Sequence, residues 1–392
     1  MKKRRTWMAV SVAAALAATV LAGCGGGSSA TGAAAPAATE APAATVAATA
    51  AQGAEGAAAA ATTGGEKKVI GMLVKDASTE YIQAMIEGAQ ATADELGFEL
   101  KVIDGGYDTM KFLDAINQYI MEEIDGFIIA AVEDPVAIIP GIEALNEKGI
   151  PVMSLDTCPS GGKVDMFITF DIVESTKRAA TQMVEGLKAK NGGVVPEGVV
   201  IEITGALVDM FAQECSEGLK EALAPYPQLT IVQGEGKWFN DDAFARTGDL
   251  LTRYGDEVVA IYCQTPDIMG SGTVAAIENA GLDPADYFVS GICIGSEGRE
   301  MLKSGKLYAV VEQPALDSAI LAVRYLKDVF DGKPLPQVGD EITEEGALWS
   351  PAYIIENEDV DEGVTMILQG PLVPQDADPD DPLLWENILF GK

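Results

Sequence analysis

Residues 150–171 read IPVMSLDTCPSGGKVDMFITFD, and their order of elements decides between two architectures. An apolar run at 151–155 ends in Asp156, a Cys-Pro-Ser-Gly-Gly loop follows, and a second run at 166–170 begins with no helix in between. Asp171 then opens a helical pattern. Working outward, the same short runs recur at 69–74, 99–103, 126–131, 199–204, 228–233, 258–262, 287–294 and 307–311. Their hydrophobicity is continuous rather than alternating, the mark of strands buried on both faces of a parallel sheet. Helical patterns fall between them at about 79–96, 109–122, 136–148, 173–190, 209–224, 240–254, 267–281, 296–304 and 314–331. Such alternation suits one eight-fold β/α barrel or two doubly wound domains. The extra strand at 166–170 leaves one series and starts another, a domain crossover and not a barrel step. The expected fold is therefore α/β, with two Rossmann-like doubly wound lobes. Their ligand cleft lies between the carboxyl ends of the two sheets.

The helix at 79–96 illustrates the local rule. Ile82, Met85, Ile86, Ala89 and Ala93 share one face, and Gly97 supplies a left-handed cap.

Composition removes whole classes of function. The 392 residues contain 26 Lys+Arg, 60 Asp+Glu and no His, a formal charge of −34. Without His, Ser-His-Asp and Cys-His triads and His-ligated zinc are impossible. The negative charge repels phosphate backbones and anionic lipid, which argues against nucleic acid and against electrostatic membrane binding. The chain is a poor candidate for an enzyme.

At the amino terminus, Lys2, Lys3, Arg4 and Arg5 precede an uncharged stretch ending in Leu21-Ala22-Gly23-Cys24. It reads as an export signal over 1–23. The Leu-Ala-Gly-Cys ending resembles the lipobox of bacterial lipoproteins, which implies lipidation of Cys24. Removal of the four cations leaves a net −38 on the mature chain. Residues 24–66 are rich in Ala, Gly, Thr and Pro with almost nothing apolar enough for a core, and read as a tether of about 35 Å mean span.

From residue 68 to 370 the motifs resemble the type I periplasmic binding protein family, in particular the ribose-binding and other pentose- and hexose-type solute-binding proteins of ABC importers. The stretches that carry it are VIGMLVKDASTEYIQAMIEGAQATADELGFEL, GFIIAAVEDPVAIIPGIEALNEKGIPVMSLD, QTPDIMGSGTVAAIENAG and GKLYAVVEQP. The resemblance implies a non-catalytic receptor whose lobes close on a small carbohydrate-like solute. It also implies binding residues in the loops after the strands. These are Ser78, Thr79 and Tyr81 in the first loop, Asp156 and Thr157 after the fourth strand, and Phe211 and Gln213 in GALVDMFAQECSEG. Trp238, Thr265, Cys293 and Gln313 complete the set. Each has a plainer alternative: Tyr81 and Trp238 suit ordinary packing, and Asp156 suits a loop cap. Where the family carries Arg and acidic partners, this chain has Thr157, Gln213, Pro266 and Cys293. The departures leave the ligand subclass open, and a cationic or amino-bearing solute held by cation–π contact is a second possibility.

Cys158, Cys215, Cys263 and Cys293 are expected as free thiols facing the cleft, with Cys263 and Cys293 the best placed to pair if any do. No CxxC spacing supports zinc, and the Asp376–Asp381 run lacks the Gly and Glu of a calcium loop. No metal and no cofactor are expected. The domain reading is 1–23 signal, 24–66 lipidated Cys and tether, 67–171 plus 314–346 first lobe, 172–313 plus 347–370 second lobe, and 371–392 an acidic tail. Hinge crossings are expected near Asp171, Gln313-Pro314 and 346–350, with Trp385 packed back near the hinge. The partners implied are a sugar or polyol and ABC permease subunits, for a monomer lipid-anchored outside the cytoplasm. A sensor of the same fold feeding chemotaxis or signalling is the rival role.

Overall fold

The computed structural model of the chain describes residues 67–378, 380–382 and 384–389. The export signal, Cys24 and the tether lie outside the described residues.

The first lobe begins β1 (Val69–Val74), α1 (Glu80–Leu96), β2 (Glu99–Asp104), α2 (Thr109–Met121), β3 (Gly126–Ala130), α3 (Ile139–Glu147), β4 (Val152–Leu155) and β5 (Lys163–Phe170). The second contains α4 (Ile172–Lys190), β6 (Gly198–Thr204), α5 (Met210–Leu223), β7 (Leu229–Glu235), α6 (Asn240–Tyr254) and β8 (Val258–Cys263). It continues through α7 (Pro266–Asn279), β9 (Ser290–Ile292), α8 (Gly295–Lys303) and β10 (Ala309–Val311). The chain returns to the first lobe with α9 (Ala315–Phe330), β11 (Glu341–Ile342), β12 (Ala352–Glu356) and β13 (Glu362–Leu368), and ends with β14 (Leu372–Pro374) and α10 (Trp385–Leu389). The nine helices expected from periodicity form within three residues of the expected bounds.

Two sheets result, ordered β11-β12-β13-β5-β4-β3-β1-β2 and β14-β10-β9-β8-β6-β7. Central strands are parallel and buried on both faces. Ile70, Met72 and Val74 of β1 join the apolar cluster under α1, while Leu73 joins Phe112, Ile116 and Phe127 on the opposite face. The edge strand β2 keeps an alternating, half-exposed pattern because only one neighbour covers it. Gly88 lets α1 lie against α9: a Cβ there would stand 2.5 Å from the Leu316 carbonyl oxygen. Gly97 ends α1 at φ 75°, its N–H bonding the carbonyls of Ala93 and Asp94.

The third crossing departs from the expected one. β13 pairs in parallel with β5, and β12 pairs antiparallel with β13, so the sheet pairing gives 352–368 to the first lobe and not the second. The chain crosses at Gln369–Pro371, not at 346–350, and β14 then pairs with β10. An antiparallel hairpin carries no helix–strand alternation, so nothing in the pattern marked it. At this crossing Gly370 is indispensable, since a Cβ would stand 2.5 Å from the Glu312 carbonyl oxygen. Arg178 Nη1 donates to the Gly370 carbonyl at 2.7 Å, and the Glu312 N–H to that of Pro371 at 2.8 Å.

The 371–392 stretch is likewise more than an acidic tail. Trp385 and Glu386 are buried, and Trp385 Nε1 donates to Glu312 Oε1 at 2.8 Å beside the hinge. The Glu386 carboxylate accepts the N–H of Gly295 at 3.2 Å.

Candidate functional site

Between the lobes lies a cleft whose empty space, counted out into open solvent, is about 460 Å³. Every wall comes from the carboxyl end of a strand or the start of the following helix, as parallel sheets dictate. The first lobe supplies Lys75 after β1, Thr79, Tyr81 and Ile82 around the start of α1, Tyr107 after β2 and Asp156 after β4. The second supplies Asp209 and Phe211 at the start of α5, Trp238 after β7, and Thr265 and Asp267 at the start of α7, with Gln313 at the second crossing.

One ion pair crosses the cleft. Lys75 Nζ lies 2.5 Å from Asp209 Oδ2 and 2.8 Å from Glu133 Oε2. Asp209 is 1% exposed and also caps α5, its Oδ1 accepting the Phe211 N–H at 3.0 Å. Burial alone would pull the Lys75 pKa down, but the Asp209 and Glu133 carboxylates hold it above the usual lysine value. The same ammonium sits 5.7 Å from the Tyr107 ring centroid and 5.6 Å from that of Trp238.

Asp156 and Asp267, the other acids of the cavity, form no ion pair among the described residues. Asp156, at φ 68°, accepts the Tyr81 hydroxyl at 2.8 Å, and burial followed by the nearby Asp209 charge pushes its carboxyl up to about 7. Burial pushes the Asp267 carboxyl up to about 7 as well, partly offset by the Cys293 thiol that hydrogen-bonds it. Phe211 meets Trp238 edge-on at 5.7 Å, and the indole lies where a Cβ on Gly205 would be. Trp238 Nε1, Thr265 Oγ1 and Asp267 Oδ1 are sealed from solvent with no hydrogen-bond partner.

Thr79, Tyr81, Asp156, Phe211, Trp238, Thr265 and Gln313 thus converge as the sequence places them. Four other expected residues do not line the cavity. Ser78 is exposed and bonds Asp76, and Gln213 is exposed with its amide on the Leu207 carbonyl, because the first turn of α5 turns Asp209 and Phe211 inward instead. The Thr157 hydroxyl is spent on the Val132 backbone, and Cys293 sits behind Asp267. The four cysteines among the described residues are buried and free; Cys215, within α5, and Cys158, beside Asn357, do not line the cavity.

Sequence reasoning missed Lys75, Tyr107, Asp209 and Asp267. Asp209 and Asp267 look like ordinary acidic residues at helix starts. The signal for Lys75 was there: a lone cation ending a fully buried strand must find buried carboxylates. Among the described residues no cluster of three or more Cys, Asp or Glu could hold a metal ion, and no helix is long and apolar enough to cross a membrane.

Two doubly wound lobes, three adjacent crossings and a polar–aromatic cavity between strand ends define a two-lobed solute-binding protein. The family described as Periplasmic binding protein domain matches residues 70–334, and the chain belongs to it. It is a binding protein and not an enzyme. It is 28% identical over 248 residues to the "Ribose import binding protein RbsB" of Salmonella typhimurium, covering 63% of this chain and 79% of that one. To the "D-allose-binding periplasmic protein" of Escherichia coli it is 24% identical over 278 residues, covering 68% and 86%. A solved structure of the Caulobacter myo-inositol binding protein bound to myo-inositol superposes with TM-score 0.62 at 22% identity, covering 78% and 94%.

Proposed function

We propose that the protein captures one sugar or small polyol between its lobes and delivers it to the permease of an ABC importer, held at the outer face of a membrane by lipid on Cys24. The observation that carries this reading is the cavity itself. Asp156 and Asp267 line it from opposite lobes, neither in an ion pair, together with Tyr81, Tyr107, Phe211 and Trp238. A buried carboxylate accepts hydroxyl hydrogens strongly, and indole and phenol rings cover the C–H faces of a polyol. The relatives named for ribose and D-allose support the solute class. The Leu-Ala-Gly-Cys ending at residues 21–24 supports the anchor.

The Trp238 and Tyr107 faces already hold the protein's own Lys75 ammonium, so a cationic solute would depend on Asp156 and Asp267 and not on cation–π contact. Closure would then be selected by differential affinity for the closed state. A thermal-shift screen of pentoses, hexoses and polyols tests the reading: at least one raises the melting temperature in a saturable way. No response to any of them would refute it.

A further inference from the structure

We propose that Glu312 and Glu386 share a single proton, and that this proton clasps the carboxyl-terminal segment across the hinge and releases it as the pH rises. The inference concerns the hinge and holds whichever solute the cleft takes.

Glu312 follows β10 directly, one residue before the second crossing, and is 2% exposed; Glu386 stands in α10 and is 1% exposed. Each carboxyl has one oxygen fixed by donors. Glu312 Oε1 accepts the Gln313 N–H and the Trp385 Nε1–H, both at 2.8 Å, and Glu386 Oε1 accepts the Gly295 N–H at 3.2 Å. The other oxygen of each, Oε2, is sealed from solvent with no donor. The two carboxyls lie within hydrogen-bond reach of one another. Two carboxylates have no hydrogen to offer, so both oxygens would stay orphaned and two like charges would meet in a desolvated site. One proton between them satisfies both oxygens and leaves a single charge on the pair, as in other buried carboxyl dyads.

The groups around the pair do not replace that proton. Asp267 of α7 and the Cys293 thiol face it from the second lobe, Glu80 of α1 approaches Gly295 from the first, and Asp317 of α9 borders Glu312 and Trp385. None of these is a cation. Arg299 of α8 does attract the Glu386 charge, but its guanidinium is bonded to Asn387 Oδ1, with Glu300 at 3.8 Å, and forms no ion pair with Glu386. Burial, followed by the Glu386 charge, pushes the Glu312 carboxyl well above the ordinary range, and burial raises that of Glu386 as well.

The segment held by the pair reaches both lobes. β14 pairs with β10, and α10 packs against α1 of the first lobe and α8 of the second. Trp385 stands with Gln313, Pro314 and Trp349 around the crossing. In the unfolded chain both glutamates ionise near about 4.3. The folded pair keeps a proton that the unfolded chain has lost, so the clasp holds at lower pH and weakens as the pH rises. Loss of the proton leaves two charges in contact. Relief comes from α10, a helix of five residues, because Glu312 is fixed at the crossing by its own N–H on the Pro371 carbonyl.

Hydrogen exchange of the purified full chain, read by mass spectrometry at about pH 6 and about pH 9 and corrected for the intrinsic rate, tests this. Protection of residues 384–389, taken relative to β1, should fall about tenfold or more in the wild type. Glu386→Gln carries its hydrogen on an amide at every pH, so the fall should shrink to within about twofold. Glu312→Gln should do the same from the other side, and covers the case in which one variant fails to fold. Wild-type protection that is unchanged at the higher pH overturns the inference. So does a fall of wild-type size in a folded Gln variant, which would assign the titration to Asp267 or Asp317.

Discussion

Lys75 Nζ, at the end of a strand in the first lobe, lies 2.5 Å from Asp209 Oδ2, at the start of a helix in the second. The side chains are 9% and 1% exposed, so this is a buried ion pair spanning the cleft. Breaking such a pair leaves a charge stranded, at a cost of roughly 3–5 kcal/mol. Lys75→Met should therefore destabilise the protein by about that much in urea unfolding, because Asp209 and Glu133 both lose their cation. The double variant Lys75→Met/Asp209→Asn should recover part of the loss. Equal stability of Lys75→Met and wild type would show that the pair does not form.

A second contact bridges the lobes away from the cavity. The Glu80 carboxylate of α1 accepts the Ser296 N–H at 2.7 Å and the Ser296 hydroxyl at 2.5 Å, at the first turn of α8. Hydrogen bonds to a charged group contribute about 1.5–3 kcal/mol, so Glu80→Gln should raise the solute dissociation rate roughly tenfold. A latch that forms on closure predicts an association rate within about twofold of wild type. Stopped-flow fluorescence separates the two rates; a change confined to association would count against a closing latch.

The absence of His leaves the neutral pH range to perturbed acids. Asp156 and Asp267 titrate near 7, and burial, followed by the charges of Asp359 and Asp171, pushes Glu214 up to about 8. In the unfolded chain all three ionise near 4. The folded state thus binds more protons between about pH 4 and 8, and stability must fall as pH rises through that window. The ligand-free melting temperature should decline from pH 5 to 8, and Asp156→Asn should flatten the decline. A melting temperature that rises over this range contradicts these assignments.

Trp238 packs on Phe211 at 5.7 Å and over bare Gly205, with its indole N–H facing no partner. Its fluorescence should change on solute binding, and Trp238→Phe should abolish most of that change. Trp238→Ala, which removes the stacking face, should cost at least tenfold in affinity by calorimetry. An unaltered affinity would take Trp238 out of the site.

Much of the fold was legible because buried parallel strands and amphipathic helices leave opposite signatures. The run at 166–170 revealed the crossover because it broke their alternation. The 352–368 hairpin stayed hidden because AYIIE and EGVTMIL are only partly buried and have no helix between them, so they lack the continuous apolar run and the alternation that marked the other strands. In the site, Asp156, Tyr81 and Trp238 were named through the family resemblance, and all three line the cavity. Lys75 and Asp209 were not, because each acquires meaning only from the other, 134 residues away. Gln213 was named instead of Asp209 because sequence gives the helix but not which side of its first turn enters the cleft.

The most direct measurement is calorimetric titration of the purified protein with D-ribose, D-allose, D-galactose and myo-inositol. Capture between two lobes predicts a saturable heat with one solute bound per chain, and an accompanying contraction in X-ray scattering as the cleft closes. No heat with any of the four, or conversion of a bound sugar to product, would contradict it.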